Sequence, residues 1–225
     1  MMKDYLMLVN AEHPLFHPLQ RSELVCAFDG YPDILMERAA AAALRRLIAD
    51  IGAEDVIVPV SGWRSRDEQK KIWSDTVADR GLSFARKYVA LPACSEHETG
   101  LAIDLALNAP DIDFICPDFP KEGICQRFRE AAPHYGFIQR YQKEKEAVTG
   151  ISEEPWHFRY VGTPHALLIT RGGLALEEYV ERFVWKKDSL FTFPSRRKTR
   201  GPESLRFAAG TAALYNVQAA GKMRI

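Results

Sequence analysis

Two short segments some fifty positions apart constrain the fold of this 225-residue chain more than anything else in it, because their side chains read as parts of one site. The first is Ser95-x-His97-x-x-Gly100-x-Ala102-x-Asp104 and the second is Glu154-Pro155-Trp156-His157. Two imidazoles and one carboxylate make a three-ligand set suited to zinc, with a fourth position open to water. Both ligand types are available near neutral pH without special tuning. A loop carrying His97 into a strand that bears Asp104 brings those two to one ion, and His157 completes the triangle from a separate strand.

The second segment adds a carboxylate three residues before its histidine. Glu154 is the expected general base, taking a proton from a metal-activated water and delivering it to the departing amine. That combination points to a hydrolase. The neighbouring Glu153 projects elsewhere on the same spacing argument. Arg64, in Ser61-Gly62-Trp63-Arg64-Ser65, sits at a strand-to-helix junction, where a fixed guanidinium can stabilise a developing oxyanion or hold a substrate carbonyl. Ser95, two residues before the first ligand, and Gln69, one turn into the helix after Arg64, are expected substrate contacts. Trp156 is expected to pack its strand. His13, His17, His134 and His165 have no partner at ligand spacing and are read as non-catalytic.

The composition excludes several other classes. Thirty basic residues balance thirty acidic ones, which argues against a nucleic-acid footprint, and the cluster Arg196-Arg197-Lys198-x-Arg200 reads as a solvated loop. With 47% hydrophobic and 27% charged residues the chain has the make-up of an ordinary globular protein. The first ten residues are too interrupted for a signal peptide, and no stretch approaches the ~18 apolar residues of a membrane span. A cytoplasmic setting is therefore expected. Cys26, Cys94, Cys116 and Cys125 form no C-x-x-C pair and read as free thiols, with a disulfide left open by their even number.

Residues 1–32 read as loop-rich, and Asp33 as the cap of a helix reaching Ile51. Val56–Val60 is a short β-rich run whose Pro59 suggests an edge or irregular strand. Ser65-Arg66-Asp67-Glu68 is a capping box opening a helix that ends near Gly81. Strands are expected around Leu101–Leu107, after Gly136 and over His157–Val161, with helices over 124–132, after the Thr163-Pro164 cap, and over 174–183. The fold class that follows is α+β, with helices packed around a small, mainly antiparallel sheet bearing the zinc site. The expected division is a catalytic domain over residues 1–184 and a tail, 185–225, without clear periodicity.

Taken together these residues resemble the zinc D,D-peptidases of the vancomycin-resistance group, VanX, VanY and VanXY, whose marks S-x-H-x-x-G-x-A-x-D and E-x-x-H both occur here without a mismatch. The similarity runs from about Leu8 to Tyr179. Lysostaphin-like endopeptidases and the hedgehog signalling domain share that fold. The resemblance implies one Zn2+ held by His97, Asp104 and His157, with Glu154 as base, Arg64 at the carbonyl oxygen, and Ser95 and Gln69 touching substrate. It further implies a small peptide substrate ending in D-Ala-D-Ala. VanY-type members usually carry a membrane anchor, so the chain looks more like the VanXY branch. A VanY-like enzyme that acts as a carboxypeptidase only stays open as an alternative, and so do two readings from other classes. A non-haem iron oxygenase shares the ligand types, and a zinc-binding module could keep the fold without catalysis.

Overall fold

Residues 4–185 are described by the computed structural model, so the Arg196–Arg200 cluster and all of the expected tail but Trp185 lie outside the described residues. The elements in chain order are β1 (Leu24–Cys26), β2 (Leu35–Glu37), α1 (Arg38–Asp50), β3 (Ile57–Ser61), α2 (Arg66–Arg80), α3 (Leu82–Tyr88) and β4 (Ala102–Leu107). There follow α4 (Gly123–Ala131), β5 (Phe137–Tyr141), α5 (Glu146–Thr149), β6 (Glu154–Tyr160), α6 (His165–Arg171) and α7 (Leu176–Val180). Strands β3-β4-β6-β5 form one sheet, antiparallel at every pair, and β1 pairs with β2 in a separate ribbon. Helices on an antiparallel sheet make an α+β fold, as the sequence implies.

Alternation along the two central strands separates a core face from a site face. Ile103 and Leu105 of β4 enter the core with Leu44, Leu47 and Ile48 of α1 and Phe128 of α4. Asp104, between them, turns the other way, flanked by the small Ala102 and Ala106. On β6, Phe158 packs edge-on to Phe119 and Phe128, with ring centroids 5.4 and 4.8 Å away. Burying each such ring contributes about 1.5–3 kcal/mol. A smaller cluster joins Ile138 of β5 to Ile169, Leu176 and Val180 of the last two helices.

The capping box at Ser65 forms as its sequence requires. The Ser65 hydroxyl accepts from Glu68 N–H while the Glu68 carboxylate accepts from Ser65 N–H. Strand β3 is an edge strand and its register shifts between Pro59 and Ser61, so both features expected of its proline occur. Two local expectations need correction. Asp33 does not cap the first helix: residues 35–37 pair with 24–26, and Glu37 caps α1 by accepting from Ala39 and Ala40 at 2.7 and 3.2 Å. Strand pairing with a distant segment outweighed local propensity there. Thr163 lies one residue outside α6, whose N-cap position is Pro164, and makes no side-chain cap. The helix opened at Ser65 does end at Gly81, as expected, and α3 starts directly after it.

Two glycines fix where the site loops lie. Gly100 has φ +70°, a left-handed conformation that closes the turn after His97, and a Cβ there would meet Leu24 Cδ2 at 2.8 Å. Gly62 has no such dihedral requirement. A Cβ on it would instead collide with the Leu35 carbonyl oxygen and sit 3.1 Å from Ile34 Cγ2. Gly62→Ala is therefore expected to cost about 1–3 kcal/mol of stability through overpacking against backbone. Urea unfolding checks this, and an unchanged midpoint would show that the β2–β3 contact yields freely.

Candidate active site

Strand register assembles the site. Ser61, Asp104 and His157 are Cα partners in one row across β3, β4 and β6, so residues 53 apart in sequence stand side by side on one sheet face. His97 reaches the same point from a 3-10 turn, Glu96–Thr99, that leads through Gly100 into β4. Ligand atoms of His97, Asp104 and His157 lie within 4.8 Å of one another, and all three residues are buried. No other group of three or more potential ligands of this kind occurs among the described residues.

Glu154 and His157 are three residues apart on one strand, which would ordinarily put them on opposite faces. Between Gln139 and Tyr141 of the partner strand the register shifts, and Pro155, which has no N–H to give the ladder, lies in that irregular stretch. Glu154 thereby turns toward the site, its Oε2 3.6 Å from His157 Nδ1. Trp156 remains with the core, as expected, while also forming part of the cleft wall.

Hydrogen bonding sets the direction of each imidazole. His97 Nδ1 stands 2.6 Å from the Gly62 carbonyl oxygen, which can only accept, so Nδ1 carries the proton. Its Nε2 lone pair then points at Asp104 Oδ2, 3.1 Å away. His157 presents Nδ1 to Asp104 Oδ1 at 2.9 Å. Burial pushes His97 down, Arg64 adds to that, and the ring is neutral at pH 7. A bare nitrogen lone pair facing a carboxylate is repulsive unless a cation lies between them. The donor set thus fits a divalent metal such as zinc, with imidazole and carboxylate of the right types and number.

Around this set the charges are strongly perturbed. Burial raises Asp104, but His97 and His157 outweigh it and hold the carboxyl far below the usual range. Burial lowers His157, yet Asp104 and Glu96 overcome that and push it up to about 9. Glu154 is pushed up to about 8, chiefly by burial and further by Asp104, against the pull of His157 and Arg64. A carboxyl that exchanges its proton near neutrality is matched to general acid–base work.

Arg64 is fixed on three sides. Its Nε donates to Ser61 Oγ at 2.8 Å, Nη2 to Asp104 Oδ2 at 2.9 Å, and Nη1 to Gln69 Oε1 at 3.3 Å. The guanidinium also lies 5.5 Å from the Phe114 ring centroid. Arg64, Ser95, Tyr88, Phe114, Tyr141 and Ile151 are among the residues lining the cleft over the three ligand candidates. Gln69 is placed differently. It is fully buried, and its amide spans Arg64 and the Ala90 carbonyl, to which it donates at 2.8 Å. His13 and His165 bond to Asn10 and Tyr179, away from this set.

Glu96, Arg140 and Arg159 are buried neighbours of the site that motif spacing does not single out. Glu96 stands between Ser95 and His97 in the motif, and its buried carboxylate takes Arg140 Nε at 2.8 Å and Arg159 Nη1 at 2.9 Å on one oxygen, the second contact being an ion pair out of hydrogen-bond alignment. Arg140 continues to Glu177 at 2.6 Å. The one available signal was a pair of arginines inside apolar strand runs, where a charge needs a buried partner.

Two buried imidazoles, a carboxylate, an adjacent proton-exchanging carboxyl and a fixed guanidinium define a metal-dependent hydrolase centre. Comparison with known proteins agrees. Residues 33–163 match the family model VanY, D-alanyl-D-alanine carboxypeptidase. The bifunctional D-Ala-D-Ala dipeptidase and D-Ala-D-Ala carboxypeptidase VanXYC of Enterococcus gallinarum is 42% identical over 175 residues, which is 77% of this chain and 92% of that one. The crystal structure of vancomycin resistance D,D-dipeptidase VanXYg with a D-Ala-D-Ala phosphinate analog superposes with TM-score 0.77 at 54% identity, covering 79% of this chain and 70% of the other. The VanY E175A mutant in complex with Zn(II) follows at TM-score 0.66 and 29% identity, over 79% and 99% of the two chains. The chain belongs to the VanY family of D-alanyl-D-alanine carboxypeptidases and is a metallopeptidase of that type. Neither the oxygenase nor the non-catalytic alternative survives this placement.

A divalent cation takes His157 only as the neutral imidazole, so binding must displace the proton that Asp104 and Glu96 retain there. Because His157 is protonated below about 9 in the metal-free protein, zinc affinity is expected to strengthen as pH rises. The slope is about tenfold per pH unit through the neutral range, for one proton released. Chelator competition at several pH values measures it, and a flat profile between pH 6 and 8 would contradict the charge assignment.

Proposed function

We propose that the chain hydrolyses the bond before a terminal D-alanine, in the dipeptide D-Ala-D-Ala and in peptidoglycan precursor peptides that end in it. The observation that carries this is the row Ser61–Asp104–His157, which brings Arg64 and Glu154 to the same buried set of donors. The names of the relatives support the substrate class, since VanXYC combines dipeptidase and carboxypeptidase and VanYB has been seen with D-alanine-D-alanine. The link to vancomycin resistance rests on those relatives as well.

In this reading His97 through Nε2, Asp104, and His157 through Nδ1 hold one zinc per chain. Bound there, the ion supplies Lewis-acid polarisation of the carbonyl and lowers the pKa of water. Glu154 removes the proton from the attacking water and returns it to the leaving amine, a cycle suited to a carboxyl pushed up to about 8 before the cation is added. Arg64, held by Ser61 and Gln69, meets the negative charge that grows on the carbonyl oxygen. Ser95, on the cleft wall, offers a hydroxyl to the peptide ends. Gln69 contributes through Arg64 and the Ala90 carbonyl rather than by touching substrate. We also place the enzyme in the cytoplasm. No helix of the described residues is long and apolar enough to cross a membrane, and all four cysteines are free thiols.

Two measurements test this. Purified protein should release D-alanine from D-Ala-D-Ala and from a pentapeptide ending in it, lose that activity to a chelator and regain it with zinc. Failure on both peptides by the zinc-loaded protein would sink the proposal. Glu154→Gln keeps size and hydrogen bonding but cannot accept the proton, so turnover should fall at least ~100-fold while zinc content is unchanged. Near-normal turnover in that variant would move the base to another group.

A further inference from the structure

Two buried polar atoms beside the site have no hydrogen-bond partner: His157 Nε2 and Glu96 Oε2. They face each other at 3.6 Å. The rest of the Glu96 carboxylate is committed, since Oε1 is taken by Arg140 and Arg159. Arg140 is in turn clamped by both carboxylate oxygens of Glu177, at 2.9 and 2.6 Å. Arg159 donates to the carbonyl oxygens of Tyr5 and Met7 at 3.2 and 2.8 Å. Glu96 is thus a fixed carboxylate with one unused oxygen, aimed at the ring nitrogen of His157 that points away from Asp104.

We propose that Glu96 is a positioning residue for the metal: its Oε2 accepts the Nε2 proton of His157 and so holds the tautomer whose Nδ1 lone pair faces Asp104. This rests on the reading of His97, Asp104 and His157 as the zinc ligands. His97 already has the equivalent support, because the Gly62 carbonyl fixes its Nδ1 proton and frees Nε2. With Glu96 holding the Nε2 proton of His157, the proton displaced on metal binding is the one on Nδ1, and both imidazoles then turn their lone pairs to one point. A carboxylate behind a metal-bound histidine orients the ring and raises its basicity. The buried arginines explain why a carboxylate can stay charged there without drawing a full proton from the ring: their charge offsets it.

Glu96→Gln is the informative variant, for a geometric reason. Arg140 and Arg159 are donors, so they select the amide oxygen for the Oε1 position and leave the amide NH2 facing His157 Nε2. A donor there favours a proton on Nδ1, the wrong tautomer for the metal. Zinc affinity, measured by chelator competition, is expected to weaken about 10- to 100-fold. A purely structural role for Glu96 would lower the melting temperature and leave zinc affinity of the folded protein unchanged, and that result overturns the proposal. Wild-type protein gives a second test that does not depend on the variant folding. In a two-bond 1H–15N spectrum of the zinc-loaded protein, His157 should carry its proton on Nε2, in slow exchange with water, and its metal on Nδ1. A proton on Nδ1 instead overturns the proposal. Absence of zinc from the wild-type protein would count against the ligand assignment itself and is read separately, from metal analysis before the spectra are taken.

Discussion

Asp104 is the group on which the site depends. Its two oxygens meet His97 Nε2, His157 Nδ1 and Arg64 Nη2, all within 3.1 Å. Transfer of a carboxylate into a buried strand is expensive, and only opposite charge and hydrogen bonds offset it. Here the offset comes from three separate parts of the chain: the turn before β4, strand β6, and the β3–α2 junction. Each must be in register for the carboxylate to be tolerated, so the same contacts that make Asp104 affordable also define the candidate metal position.

The arrangement has a second layer behind it. Glu96, Arg140, Arg159 and Glu177 form a buried charged network on the far side of His157, reaching α7 at one end and the backbone of the first residues at the other. Such networks contribute little net stability compared with apolar packing, and breaking one member is costly. Their value lies in orientation. A histidine whose two ring nitrogens both face fixed carboxylates has few orientations available, which lowers the reorganisation needed when a cation binds. Arg64 follows the same rule, with Ser61, Gln69 and Asp104 fixing the plane of its guanidinium before substrate enters.

Local structure departs from local sequence where long-range pairing or backbone irregularity intervenes. Asp33 looked like a helix cap because short acidic residues fill that role. The position was taken instead by Glu37, since Leu35–Glu37 found partners in Leu24–Cys26 and the helix could begin only after them. Gln69, read as a substrate contact from its place one turn into α2, lies behind Arg64 because that helix turns its position 69 toward the Ala90 loop. Glu154 stands beside His157 only because the strand around Pro155 breaks its alternation.

The sequence by itself determined the cap at Ser65 and singled out the candidate ligand types, their order and the candidate base, because each of these is a matter of residue chemistry at short spacing. It also determined that the sheet would be antiparallel and small, from short β-rich runs separated by helical patterns. Tertiary structure alone decided which ring nitrogen each histidine turns toward Asp104, that Glu154 and His157 share a face, and that Glu96 lies behind His157. Those depend on register and on hydrogen bonds between residues 35 and more positions apart, such as His97 with Gly62 or Glu96 with Arg140. Side-chain periodicity carries no information about partners at that distance. The energy that selects them belongs to burial of charge, which exists only once the chain has folded.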